Sequence, residues 1–500
     1  MKKVFFKKAI FAIAIALLLF SFKSLCPIIY TNKSFMALPT PHDYLPTKYT
    51  SWHRILKQGS GADNPWAASL QVVPFYRTSY NQINLGKYFG TNFKNELTIG
   101  RESPETDIKT DLIFNNLTDY ELKGKIILNP KHTSYGAYFS YHQELNNINK
   151  GLFFQINIPL IHVENELSPT GTSCGGCAGN LSGQIFEYFN GTYKQDAEDS
   201  KQSPLTRAKI SNVQGQTGIA DLEIIFGNKF VERSEHEVKG AVKLIVPTGN
   251  KPGGCYLFPA IVGNGRHWGL GSMINGSMNI KKSEESSFEF LFHMDYTYLF
   301  DADEKRTLGF RSPFGSDSTF DKEDTTATLP WNYYALGGET GKKGVFPLAN
   351  VLTQEVSVSP GSKLKGHGSF AYHRGNVTFD FGYSFFSQEG EKVEIKCWED
   401  NKYAIADTAY DTTSSFDLAH YEIAQNPGNS IGGPIQKTLL DTYTPATPGV
   451  LKHSVHGTIG YTLSEWENPI VLGGGFCVDW TQDNSTAVGY TLWAKVGATF

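Results

Sequence analysis

Long apolar runs are scarce in this chain of 500 residues. The longest, Ala9 to Phe20, is shorter than the roughly 20 residues that a membrane-spanning helix needs. The mean hydropathy is −0.30, and helical periodicity is weak along the whole sequence. These absences exclude a membrane protein built from helices.

The chain also has no excess of positive charge and no recognisable reaction motif. The formal net charge is −4, so nothing suggests nucleic acid as a partner. Residues 338–343 imitate a phosphate-binding loop, but Lys343 stands where such a loop needs Ser or Thr. No G-x-S-x-G nucleophile elbow occurs, and a second ligand pair at zinc-finger spacing is absent. We therefore expect no cofactor, no metal and no enzymatic activity.

The N-terminus has the pattern of a secretion signal. Lysines flank the apolar stretch on its N-terminal side, and a polar segment that contains Pro27 follows it. A charged region followed by a short apolar core is typical of a signal peptide rather than an anchor. We predict a signal peptide over 1–26, with cleavage as late as residue 37 as the alternative.

The C-terminus has a period of two that is sustained to the last residue. Tyr490, Leu492 and Phe500 fall on one face of this stretch, and Trp493 and Lys495 fall on the other. The alternation resembles the C-terminal signal of Gram-negative outer-membrane barrels, which usually ends in an aromatic residue. The resemblance implies that Tyr490, Leu492 and Phe500 form an assembly signal, with the barrel-assembly machinery and outer-membrane lipid as partners.

Comparable alternation recurs along the chain, which is 13% aromatic and contains 49 glycines. It predicts fourteen strands, at 68–80, 107–115, 121–129, 134–145, 151–164, 219–231, 237–247, 267–280, 287–300, 367–374, 376–388, 453–464, 469–480 and 488–500. Counted from the C-terminus, short and long connections alternate, as they do in outer-membrane barrels. We predict an all-β fold, a transmembrane antiparallel up-and-down barrel of about 14 strands (12 to 16) with long extracellular loops.

The barrel is predicted to occupy 67–500. Residues 27–66 contain several prolines, and this composition does not favour a regular helix or strand. Two interpretations remain open for this segment, namely a periplasmic lead or a plug inside the barrel.

Two cysteines, Cys174 and Cys177, lie close together in a long predicted loop. In an oxidising compartment they are candidates for a local disulfide. Unpaired thiols and pairing with Cys255 remain alternatives.

The inward faces of the predicted strands supply candidate pore-lining residues. They mix charged, polar and aromatic side chains: Glu289, His293, Asp295, Asp380, His456, Trp493 and Lys495. A wide porin would have a more uniformly polar lining. The mixture favours a narrower, partly occluded conduit.

A further resemblance covers about 205–300. There a strand ends in Pro247-Thr248-Gly249, and a glycine-rich segment opens the next strand. This pattern is similar to barrels of the meta-pathway of phenol degradation and to transporters of long-chain fatty acids and hydrocarbons. It implies passage of small, largely apolar or aromatic molecules across the outer membrane. The alternatives are a structural or adhesive surface barrel without transport, and a secreted soluble β-sandwich.

Overall fold

The computed structural model describes residues 29–40, 43, 48, 50, 66–100, 107–109, 113–114, 124–173, 181–196, 201–210, 213–233, 235–311, 328–329, 331–340, 342–406, 434–466 and 468–500. The predicted signal peptide, Cys174 and Cys177 lie outside these residues, so both predictions stay untested. Among the described residues, no helix is both long and apolar enough to cross a bilayer.

Twelve long antiparallel strands form one closed sheet. They are β1 (Ala68–Ser79), β2 (Lys131–Glu144), β3 (Leu152–Glu166), β4 (Leu222–Arg233), β5 (His236–Val246), β6 (Gly269–Lys282), β7 (Ser286–Leu299), β8 (Gly361–Arg374), β9 (Val377–Gln388), β10 (Val450–Leu463), β11 (Ile470–Thr481) and β12 (Gly489–Thr499). Each strand pairs with its neighbours in the chain, and β12 pairs with β1 to close the ring. The predicted fold class, an up-and-down barrel, is confirmed.

The closing seam is well paired. Val72 lies opposite Val496, and backbone hydrogen bonds of 2.7 Å and 2.9 Å join Ala68 and Phe500. Closure matters because an open sheet edge leaves N–H and C=O groups without partners, which a bilayer does not tolerate. An additional strand, Val213–Ile219, continues the line of β4 along β3.

The predicted strands at 107–115 and 121–129 are not part of the barrel. Ile108–Lys109 and Gly124–Ile127 instead join Glu96–Gly100 and Thr170–Ser173 in a separate four-stranded sheet. Ile108 and Ile126 are buried in a core formed by loops. Alternation shows that a strand has one apolar face, but it does not distinguish a face that meets lipid from one that meets a loop core. The strand count is therefore twelve, within the predicted range.

The long connections lie at one end of the barrel and the short ones at the other. The short connections are 145–151, 234–235, 283–285, 375–376 and 464–469, and β1 begins and β12 ends at this same end. We call it the short-turn end and its opposite the long-loop end. The predicted alternation of connections survives the corrected strand count, because the two lost strands were consecutive.

The described parts of the long connections fold together into a cap over the long-loop end. Its helices are α1 (Gln82–Phe89), α2 (Leu181–Asn190) and the single turn α3 (Ala349–Leu352). Its remaining short strands are Ala302–Thr307, Gly309–Arg311, Thr328–Leu329, Leu336–Glu339, Phe346–Pro347, Thr353–Ser359, Lys392–Ile395, Tyr403–Ile405 and Leu440–Asp441, with 3-10 turns at Asn332–Tyr334 and Lys437–Leu439. Fully buried aromatic side chains such as Trp331, Tyr334 and Phe89 form its core. A cap packed in this way covers the barrel mouth as a folded layer.

The outer wall of the barrel is apolar and exposed. Phe381 is 65% exposed and Leu492 is 55% exposed, although both are large apolar side chains. Trp480 lies near the long-loop end of β11, and Tyr383 lies in the middle of β9. Both pack around His453, whose Nδ1 lies 2.6 Å from the Tyr383 hydroxyl. An apolar band bordered by aromatic residues is the outer surface of a membrane barrel.

Candidate functional site

The candidate site is the lumen, which the inward-facing side chains of the twelve strands enclose. All seven predicted pore-lining residues lie on this face and are buried: Glu289, His293, Asp295, Asp380, His456, Trp493 and Lys495. None is more than 5% exposed. Side chains on the wall of an open, water-filled pore would be accessible, so the lumen is filled in this state.

Charged side chains dominate the filling, and sequence reasoning missed many of them. Arg77, Lys243, Lys363, Lys365, Lys452 and Asp479 all lie on inward positions and are buried. Lys363 and Lys365 were missed because strand β8 was predicted to begin only at residue 367, and Lys452 was missed because strand β10 was predicted to begin only at residue 453. The others follow the same period of two as their predicted neighbours, so applying that period to every strand would have identified them.

The described residues 29–40, 43, 48 and 50, called here the N-terminal segment, pass from the cap into the lumen. Its first part is anchored in the cap, where the Lys33 Nζ donates to the backbone oxygens of Tyr443 (2.7 Å) and Ala446 (3.2 Å). The Ser34 hydroxyl donates to the Thr307 backbone oxygen at 2.6 Å. Burial lowers the pKa of Lys33 to about 7, although nearby Asp441 and Glu391 partly oppose this shift.

A charged network in the cap surrounds the same part of the segment. The Arg306 guanidinium lies 3.2 Å from the centre of the Phe35 ring. It is also paired with Glu304 and, at 3.2 Å, with Glu391. These carboxylates raise the pKa of Arg306, so it stays charged although it is buried. The network fixes the segment where it leaves the cap for the lumen.

Asp43 of the N-terminal segment reaches the inward face of β8. Its Oδ1 accepts a hydrogen bond from the Lys365 Nζ at 2.7 Å, and its Oδ2 lies 3.4 Å from the Lys363 Nζ. The Thr40 hydroxyl donates to the same Oδ2 at 2.8 Å. Lys363 also donates to the side-chain oxygen of Asn264, which lies in the connection between β5 and β6.

Lys48 continues the contact with the lumen wall further along the segment. Its Nζ lies 2.9 Å from the Glu223 Oε2 and 4.8 Å from the centre of the Tyr138 ring. Both partners belong to the wall, Glu223 to β4 and Tyr138 to β2. The side chains of Asp43 and Lys48 therefore contact the lumen wall.

The wall carries its own ion pairs at several heights. Near the long-loop end, Asp479 pairs with Arg77, and the Lys452 Nζ lies 3.8 Å from the Asp479 Oδ2. Lower in the lumen the Lys243 Nζ lies 2.7 Å from both carboxylate oxygens of Asp295.

A second group of ion pairs lies near the short-turn end. The Lys229 Nζ is 2.9 Å from the Glu144 Oε1, and the Lys239 Nζ is 2.8 Å from the Glu237 Oε1. His373 Nε2 lies 3.5 Å from the Glu289 Oε2. Charge is therefore paired along the whole depth of the lumen, as buried charge must be.

Histidines occupy the middle of the lumen. His293 lies opposite His367 in the register of β7 and β8, and the rings of His367 and His456 stack with centroids 5.1 Å apart. The stacking passes over Gly382, where an added Cβ would come within 2.5 Å of the His456 ring. Within the described ranges, no group of three His, Cys, Asp or Glu side chains is arranged to hold a metal ion.

The proposed assembly residues and the described cysteines have clear positions. Tyr490, Leu492 and Phe500 face outward and are about half exposed. Cys255, Cys397 and Cys477 are unpaired thiols, and only Cys477 of these three is buried on the lumen side.

No family model and no curated protein matches the chain. Similar solved structures include the Ralstonia pickettii toluene transporter TbuX, at 8% identity over 95% of this chain and 98% of that chain, with a TM-score of 0.28. A Pseudomonas aeruginosa FadL homologue has 7% identity over 87% and 90% of the two chains, with a TM-score of 0.27. The TodX deltaS2S3 mutant monoaromatic hydrocarbon channel has 10% identity over 87% and 90%, with a TM-score of 0.32.

These neighbours include the kind of outer-membrane barrel that the sequence resemblance predicted. Identities of 10% or less establish neither common ancestry nor function. The barrel architecture is established by the strand pairing of this chain itself.

Proposed function

We propose that the chain is an outer-membrane channel for small solutes, and that its N-terminal segment holds the channel closed. The wall supports a membrane location, since its outward side chains are apolar and exposed while its inward side chains are polar and paired. Export would use the predicted signal peptide, and insertion would use the barrel-assembly machinery.

The observation that carries the proposal is the ion pairing of Asp43 and Lys48 with the lumen wall. Buried ion pairs add little stability compared with apolar packing of the same volume. A lumen that only needed to be filled would be more stable with apolar contents. Ionic contacts between a separate segment and the wall are instead suited to a closure that exchanges between two states.

The lining also bears on the solute. Apolar side chains such as Phe386, Leu291 and Trp493 are present in the lumen, but charged and hydrogen-bonding side chains outnumber them. A pure hydrocarbon would gain little from such a wall, whereas a solute with a polar or charged group could exchange hydrogen bonds with it. We therefore favour polar small molecules over the apolar or aromatic ones that the sequence resemblance implied.

The two rival interpretations fare differently. A soluble β-sandwich would bury its apolar faces between two sheets, whereas here one closed sheet exposes residues such as Phe381 and Leu492. A structural or adhesive barrel remains the second candidate, because the folded cap is large enough to present a binding surface. Such a barrel has no need of a removable segment in its lumen.

Solute flux into proteoliposomes tests the channel. The intact chain would be compared with a variant that lacks residues 29–50 but keeps residues 1–28 for export. We expect flux of a small polar solute to rise more than about tenfold in the deletion variant. A free-energy difference of only about 1.4 kcal/mol already keeps nine in ten intact barrels closed.

The matched control removes an exposed ion pair of the cap and leaves the lumen contacts intact. Lys396→Met breaks an exposed ion pair with Asp303 in the cap and should leave flux unchanged. A heat-dependent mobility shift on gels would verify that every variant is a folded barrel. Absence of flux in both the intact and the deleted chain would contradict a channel and favour an adhesive barrel. Equal flux in both would contradict closure by the N-terminal segment.

A further inference from the structure

We propose that Lys363 and Lys365 form a binding site for the carboxylate group of a small organic acid, and that Asp43 occupies this site in the closed state. The inference rests on the proposed channel, and it names the class of solute that the channel recognises. Asp43 then acts as an internal substitute for the solute.

The geometry around Asp43 is that of a carboxylate bound between two cations. Lys363 and Lys365 are two residues apart on β8, so both point into the lumen from the same face. One oxygen of Asp43 faces each ammonium group, at 2.7 Å from Lys365 and 3.4 Å from Lys363. Asn264, in the connection between β5 and β6, accepts a hydrogen bond from Lys363 and so orients this ammonium group.

These two lysines differ from the other lumen lysines in the origin of their partner. Lys229, Lys239 and Lys243 each pair with a carboxylate that belongs to the wall itself. Lys363 and Lys365 pair with a carboxylate of the N-terminal segment. When the segment moves, the wall pairs stay complete, whereas Lys363 and Lys365 lose the Asp43 carboxylate and keep the wall carboxylates around them, such as Asp295 opposite Lys365.

The loss of Asp43 has an energetic consequence. Loss of its closest carboxylate is unfavourable for a buried cation, even though Asp295 lies opposite Lys365 in the strand register. An anion from solution would relieve this cost, so the open state should bind a carboxylate solute more tightly than the closed state does. A ligand with such a difference in affinity shifts the equilibrium toward opening.

The shape of the site favours a carboxylate over other anions. The carboxylate group of Asp43 is planar, carries one negative charge and presents one oxygen to each lysine. A carboxylate solute has the same plane and the same spacing of oxygens. Inorganic phosphate is tetrahedral and more highly charged, so it serves as the discriminating anion in the test.

The experiment uses chemical rescue of the full chain. Asp43→Ala removes the carboxylate group, and acetate from solution can supply a carboxylate of the same charge and planar shape. We expect sodium acetate to raise the unfolding temperature of Asp43→Ala and to bind to it in calorimetry. The wild-type chain, whose site is occupied by Asp43, should bind acetate at least roughly tenfold more weakly.

Four controls make the result specific. Acetamide has the shape of acetate without its charge and should not rescue, and phosphate should rescue less than acetate does. Adding Lys363→Met and Lys365→Met to Asp43→Ala should abolish acetate binding. Adding Lys239→Met instead, at a lysine near the short-turn end, should leave it unchanged. Equal rescue by phosphate or acetamide, or rescue that survives loss of both lysines, would overturn the inference.

Flux of benzoate and of uncharged benzamide through the intact wild-type chain completes the test. We expect faster benzoate flux, with the preference lost in the Lys363→Met, Lys365→Met variant. Benzoate and benzamide crossing at equal rates would overturn the inference but leave the channel standing. Conversely, acetate rescue without flux of any solute would overturn the channel but leave the carboxylate site standing.

Discussion

Asp479→Asn should be among the most destabilising single substitutions in the lumen. The Asp479 side chain is fully buried and pairs with Arg77, while the Lys452 Nζ lies 3.8 Å away. Arg77 and Lys452 are each only 1% exposed. The neutral amide keeps the size of the side chain but leaves two buried cations without this carboxylate.

The size of the effect follows from the burial of all three groups. Removing one partner of a buried ion pair costs about 3–5 kcal/mol. With a denaturant dependence of about 2 kcal/mol per molar, the urea midpoint would fall by about 1.5–2.5 M. The assay is urea unfolding of the refolded barrel in lipid, followed by the heat-dependent mobility shift and by tryptophan fluorescence.

An exposed ion pair provides the control. Asp303 and Lys396 lie 2.7 Å apart in the cap, with side chains 39% and 43% exposed. Solvent screens this pair, so Asp303→Asn should change the midpoint very little. Similar losses for Asp479→Asn and Asp303→Asn would refute the view that the lumen charges are buried and paired. The triple variant Asp479→Leu, Arg77→Leu, Lys452→Met should restore most of the stability that Asp479→Asn loses.

Three further predictions concern the cap, the closing strand and the outer wall. The folded state lowers the pKa of Lys33 to about 7, so the unfolded chain binds more protons above pH 7. Stability should therefore rise from pH 7 toward pH 10 in the wild type, and Lys33→Met should flatten this rise in unfolding temperature. Phe500→Ala should reduce the amount of barrel assembled in cells. It should leave the urea midpoint of the purified barrel nearly unchanged, because the backbone pairing with Ala68 remains. A midpoint that falls together with the yield would indicate a structural role. Phe381→Lys should lower the free energy of unfolding by about 2–4 kcal/mol if this side chain meets the bilayer centre. Phe381→Leu should lower it far less in the same urea assay. Equal effects of the two substitutions would place the residue outside lipid.

The barrel itself could be predicted because alternation is a local property. The run from 286 to 299 alternates without a break, so both the strand and the inward positions of His293 and Asp295 follow from sequence alone. The same rule failed at Ile108 and Ile126, which also alternate but pack into the cap. Whether an apolar face meets lipid or a loop core depends on how the rest of the chain folds. The alternation within one strand carries no information about this.

The contents of the lumen were less accessible to sequence reasoning. Lys243 and Asp295 are 52 residues apart and meet across the register of three strands. Asp43 and Lys365 are 322 residues apart. The N-terminal segment has no regular periodicity, so its composition left the lead and the plug both open. The partners of Asp43 and Lys48 can be identified only once the wall lysines and Glu223 are known to face inward.

We propose that the N-terminal segment closes the lumen of a membrane barrel. The thiol of Cys477 tests it most directly, because it is buried on the inward face of β11. A chain in which Cys26, Cys174, Cys177, Cys255 and Cys397 are replaced by Ser would carry this thiol alone. Labelling by a membrane-impermeant maleimide should be slow in the intact chain and fast when residues 29–50 are deleted. Fast labelling of the intact chain, or equally slow labelling of both, would contradict the account.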